Sequence, residues 1–209
     1  MFVRVTVHAS DLDASHRFYE TVLPALDIGR TDDGGDRPVW RDFRLLPGEG
    51  KATRRLHIGF AAPSREHVDR FWAEGVHAGY PSDGEPGPRP QYRHDYYGAF
   101  LLDPDGNSAE AVHHGGMRGG KAIDHLWIRV ADLAASKSFY SALAQDAEME
   151  LRDDRPERVS FAGTDGSFSL VEGDSTESLA IAIRGLRGVA AIDPDGNSVA
   201  LVANSARRS

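Results

Sequence analysis

The chain has 209 residues, 40% hydrophobic and 27% charged, an ordinary globular composition that excludes an intrinsically disordered chain. With 24 Lys and Arg against 32 Asp and Glu, the net charge is −8, which argues against nucleic-acid or anionic-membrane partners because both need a basic face. Cysteine is absent, so disulfides, thiolate metal sites and cysteine nucleophiles drop out.

The opening stretch Met1–His8 lacks the charged-then-apolar order of a secretory signal. No run of ~18 apolar residues offers a membrane span. A soluble cytoplasmic protein is expected. Taken in chain order, the first strand alternates, with Val3, Val5 and Val7 expected on a covered face and Arg4, Thr6 and His8 on the other. Ser10 or Asp11 can cap a helix carrying Leu12, Phe18, Tyr19, Val22, Leu23 and Leu26 at helical spacing. A short strand around His57–Phe60 follows. Pro63 and the cap Ser64 then open a second helix with Val68, Phe71, Trp72 and Val76, stopped at Gly79. The Pro- and Gly-rich stretch 81–95 reads as a long loop able to cover a site. Asp103-Pro-Asp-Gly-Asn-Ser108 is hairpin-turn chemistry between two apolar runs.

The remainder repeats this pattern. Residues 126–144, LWIRVADLAASKSFYSALA, match residues 5–23, VTVHASDLDASHRFYETVL, in their Asp-Leu and Phe-Tyr positions. The turn motif returns unchanged at 193–198. Between these landmarks the second copy is 31 residues shorter, because the strand at Leu179–Ile183 runs almost directly into Val189–Ile192 and the second helix is missing. A duplicated domain is expected, with 1–116 complete and 121–205 shortened.

These motifs resemble the vicinal oxygen chelate superfamily, which includes glyoxalase I, fosfomycin-modifying enzymes, extradiol dioxygenases and bleomycin-binding proteins. The resemblance covers nearly the whole chain as two tandem copies. It implies an α+β fold of paired βαβββ modules forming half-closed barrels around one divalent ion, whether Fe, Mn, Ni, Co or Zn. The family's ligands are a first-strand His, a His before the second helix and a Glu after the last turn. Carried over, these positions are Arg4, His57 and Glu110 in the first copy, and His125, Ala180 and Ala200 in the second. Arginine stays protonated and alanine has no donor atom, so neither copy alone holds a set.

If the copies exchange halves, His57, Glu110 and His125 form one whole site, and the other pairing is bare. His8, on the Arg4 face, is the rival first-strand ligand should each copy close on itself. Two imidazoles and a carboxylate suit these metals and leave positions open for a bidentate substrate. Glu110, or His94 or Tyr96 from the loop, is the candidate for acid–base work. Trp127 and Arg129 offer an aromatic wall and a cation for a planar or anionic substrate, with Tyr97 a further substrate contact. His16, His67 and His77 read as solvated helix positions, and His114 as a possible support behind Glu110.

Two function classes follow. One is a metal-dependent isomerase, lyase or thiol transferase acting on a small oxygenated molecule. The other is a metal-free drug-binding protein of the bleomycin-resistance type. Extradiol cleavage is disfavoured because Phe100 stands where that group carries a tyrosine. No nucleic acid or membrane is expected as partner, and the chain is a monomer or a homodimer.

Overall fold

The computed structural model describes residues 1–31, 38–116 and 120–203; the domain end expected at 205 lies outside them. The first half contains β1 (Phe2–Ala9), α1 (Leu12–Val22), β2 (Val39–Trp40), β3 (Phe43–Pro47), β4 (Leu56–Ala61), α2 (Arg65–His77), β5 (Ser82–Pro88), β6 (Tyr97–Leu102) and β7 (Ser108–His113). The second contains β8 (Ile123–Val130), α3 (Leu133–Ala144), β9 (Glu150–Arg155), β10 (Arg158–Gly163), β11 (Gly166–Glu172), β12 (Ala180–Gly185), β13 (Val189–Ile192) and β14 (Ser198–Ala203). No helix of the described residues is long and apolar enough to cross a membrane.

The strands form two open sheets, and the halves of the two copies are exchanged between them. One sheet has the order β5-β6-β7-β4-β8-β11-β10-β9; the other has β13-β14-β12-β1-β3-β2. The seam of the larger sheet is the antiparallel pair β4–β8, and that of the smaller is β1–β12. Each seam joins a strand of the first copy to a strand of the second.

The repeated motifs hold each copy together across this exchange. Asp11 caps α1 by accepting from the Ala14 amide at 2.9 Å, and Asp132 caps α3 through Ala135 at the same distance. The tyrosine of each Phe-Tyr pair is fully buried and donates to the first Asp of its copy's turn. Tyr19 reaches Asp103 at 3.0 Å and Tyr140 reaches Asp193 at 2.9 Å. Those aspartates also accept the amides of Asn107 and Asn197. Each asparagine in turn accepts from the strand next door, Leu56 or Leu179. The motif is therefore a buried polar clamp as well as a turn, which a sequence reading does not disclose.

Three local expectations change. Val3 is 36% exposed while Phe2 is buried, because β1 bulges: Phe2 pairs with Ile183 and Arg4 with Ala182, leaving Val3 opposite no residue. Val76 is likewise solvent-facing at 39%, so the apolar face of α2 is narrower than its spacing suggested. The first half of the expected loop 81–95 is strand, because β5 pairs antiparallel with β6 through a register broken at Gly84 and Gly87. Two prolines fit there because β5 is an edge strand.

Candidate metal centre and pocket

The central strand β4 lies between β7, parallel, and β8, antiparallel. Its register sets Glu110, Gly59 and His125 in one row across three strands. The next row is Ser108, His57 and Trp127. Side chains two residues apart on a strand share a face, so His57 stands beside the first row. One ligand atom from each of His57, Glu110 and His125 can be chosen so that all lie within 4.8 Å of one another.

Glu110 is the hub. Its Oε2 is 2.8 Å from His57 Nε2 and 3.2 Å from His125 Nε2, and the two rings stack with centroids 5.5 Å apart. Burial alone would push the Glu110 carboxyl up, but the hydrogen bonds from His125 and His57 prevail and hold it at about 2. Burial likewise disfavours charge on His125, yet Asp124 and Glu110 on either side raise it to about 10.

The two distances to Glu110 fit a divalent ion. Metal–ligand bonds of roughly 2.1 Å at right angles place neighbouring donors ~3 Å apart, as the Glu110–imidazole separations are. Two imidazoles and one carboxylate would leave other positions on such an ion open.

Glycine makes the room. A Cβ on Gly59 would come within 2.4 Å of the His125 ring, and one on Gly98 within 2.5 Å of Glu110 Oε1. Neither glycine was singled out by sequence, although glycine inside a strand is itself a sign of close approach.

Supporting groups surround the triad. Tyr96 donates its hydroxyl to Glu110 Oε1 at 2.7 Å. Burial and the Glu110 charge push the phenol far above its ordinary range, so it keeps its proton. Asp124 Oδ2 is 3.0 Å from His125 Nδ1, which fixes the ring with Nε2 toward Glu110. Behind Asp124 stands His114, 3.3 Å away and stacked on Tyr96.

Asp124 was not foreseen. Neighbours on a strand point to opposite faces, so a residue adjacent to His125 should look away. β8, however, bulges here: Gly59 pairs with His125 and Phe60 with Ile123. Asp124 is the extra residue, swung into contact with its neighbour's ring.

A cavity of about 510 Å³ opens beside His57, lined among others by Trp127, Arg55, Arg129, Ser108 and Asp83. Trp127 lies 6.0 Å from the His57 ring, with Arg158 over its own face at 5.7 Å. Arg55 is paired with Glu177, whereas Arg129 is exposed and has no ion-pair partner among the described residues. Phe100, not a tyrosine, packs 5.8 Å from His57.

Other candidates lie elsewhere. Tyr97 is on the opposite face of β6, donating to Asp69 at 2.8 Å under Arg65, because strand alternation separates it from Gly98 and Phe100. His94 is exposed on the turn before β6. His8 is in the other sheet, its Nδ1 2.8 Å from the Ser178 carbonyl. His67 is held by Ser64 and Asp27 on the α2 surface.

A sequence model of the Glyoxalase/Bleomycin resistance protein/Dioxygenase superfamily matches residues 2–111. A glyoxalase/bleomycin resistance protein from Albidiferax ferrireducens is 35% identical over 55% of this chain and 98% of its own, with a TM-score of 0.48. Glyoxalase I from Zea mays is 20% identical, with a TM-score of 0.64 over 98% of this chain and 92% of its own. Lactoylglutathione lyase from Agrobacterium tumefaciens is 20% identical over 58% of this chain and 98% of its own, at a TM-score of 0.43. No curated protein matches the chain.

Proposed function

The chain belongs to the glyoxalase/bleomycin resistance protein/dioxygenase superfamily, and from that premise we propose that it is a divalent-metal-dependent enzyme of the isomerase, lyase or thiol-transferase type, acting on a small oxygenated molecule held through two adjacent oxygens. The observation that carries this reading is the convergence of His57, Glu110 and His125 within 4.8 Å across the seam between the two copies. His57, Glu110 and His125 would hold the ion, which would supply positions for the two oxygens and offset negative charge developing on them.

The chain's own groups set the rest. Tyr96 keeps its proton and donates a hydrogen bond to Glu110, so it orients that carboxylate and does not serve as a base. Asp124 fixes the His125 tautomer. Trp127 presents a flat wall, and the exposed guanidinium of Arg129 suits an acidic group on the substrate.

Calorimetric titration of the chelator-treated protein with Mn(II), Ni(II), Co(II), Zn(II) and anaerobic Fe(II) tests the reading. One equivalent should bind, and an ion at a hundred times its Kd should add about 2.7 kcal/mol of stability. Absence of binding and of stabilisation by every ion would replace the enzyme with a metal-free small-molecule binder.

A further inference from the structure

The smaller sheet carries a second concavity at the place related by the repeat to the His57–Glu110–His125 cluster. Register aligns Arg4 with Ala182, and Ala182 with Ala200, where the larger sheet has His125, Gly59 and Glu110. No metal can be held there, since a guanidinium has no lone pair and alanine no donor. The concavity remains because its strands remain. It is an open groove of about 370 Å³, with walls of Ala180, Ala182, Ala190, Ala200 and Ile192.

Arg4 is the one charged residue of that lining. Its Nε is shut off from solvent and has no hydrogen-bond partner among the described residues. The side chain as a whole is half-buried and lines the groove, and a carboxylate paired with the end of the guanidinium that solvent reaches offsets the cost of holding that charge without a counter-charge. Only two hydroxyls, Thr6 and Ser198, accompany it. One cation and two hydroxyls match a single negative charge; a phosphate dianion would find too few donors. Everything else in the lining is apolar.

We infer that this groove is a second binding site, selective for a small monocarboxylate with an apolar body. The carboxylate takes the Arg4 guanidinium, and the hydrocarbon or ring lies along the alanines. The site is independent of the metal centre and does not rest on the enzymatic reading.

The test is an NMR titration of the full, chelator-treated chain with hexanoate and benzoate, and with the neutral hexanol and benzyl alcohol. The acids should bind saturably at one per chain, with shifts on β1, β12 and β14, and the alcohols at least tenfold more weakly. Arg4→Met should weaken the acids at least tenfold, and Ala200→Leu should block them by filling the groove. The His57→Ala/His125→Ala double variant should bind them as the wild type does. Equal affinity for acids and alcohols would overturn the inference, as would indifference to Arg4→Met, loss in the double variant, or no saturable binding. Concentration-dependent dimerisation through the groove, with no acid bound, would assign it to a second copy of the chain instead. The acid–alcohol comparison on unmodified protein stands even if a variant fails to fold.

Discussion

The two sheets are built from the same repeat with the same pairings around the seam, yet among the described residues only one gathers side chains able to ligate a metal. In the larger sheet the row across the seam is Glu110, Gly59 and His125; in the smaller it is Ala200, Ala182 and Arg4. Both first strands bulge at the same step, but the extra residue is Asp124 in one and the exposed Val3 in the other. Gly98 has its counterpart in Gly188, where an added Cβ would meet nothing within 4 Å. The fold thus supplies the concavity and the bulge in both halves. Candidate ligands, the carboxylate behind His125 and the need for glycine at the strand centre occur together in one half and, among the described residues, are absent together from the other.

The contrast can be broken most severely at the central glycine. Gly59→Ala would drive a methyl into a ring pinned by Asp124, costing about 1–3 kcal/mol of stability through overpacking. It should also lower metal affinity by more than ~100-fold, beyond what loss of a supporting contact does; thermal melting and metal titration read both. Wild-type affinity in this variant would mean that the row does not hold the ion. Asp124→Asn comes next, with a loss of about 10–100-fold in metal affinity and little change in fold. If Asp124→Asn binds metal as tightly as the parent, the bulge has no role in the site.

The metal-free protein has a pH signature. Glu110 is held below its ordinary 4.5, so its contribution is present above that value and lost as pH falls through about 2. His125 is held above its ordinary 6.5, so its contribution is present below that value and lost as pH rises through about 10. The chelated chain should therefore lose melting temperature between pH 6.5 and 10, and His125→Ala should flatten that decline. An unchanged slope in the variant would place the titration elsewhere. The smallest effect is expected from Ala182→Gly, which removes a methyl from the bare row. Its cost should be about 0.5–1 kcal/mol from backbone entropy, with no change in metal binding. A measurable metal effect there would mean that the two rows are coupled.

Much of this was legible in the sequence because the repeat carries its own ruler. His57, Glu110 and His125 could be named because the resemblance implies a ligand on the first strand, before the second helix and after the last turn, and the repeat locates those places in each copy; their division between copies pointed to exchanged halves. What stayed hidden depended on backbone detail. Asp124 touches His125 only because a bulge breaks strand alternation. Tyr97 and Tyr96 differ by one residue, and the face each takes follows from where β6 begins. A Pro- and Gly-rich stretch reads as loop, but at a sheet edge it pairs as β5.

The central claim is that one ion is held per chain, between the copies, by His57, Glu110 and His125. Metal content by plasma mass spectrometry, on folded protein reconstituted with Zn(II) and desalted, tests it most directly. One equivalent is predicted for the wild type and for His8→Ala, and none for His125→Ala. Metal retained by His125→Ala and lost from His8→Ala would contradict the account and put the site within a single copy.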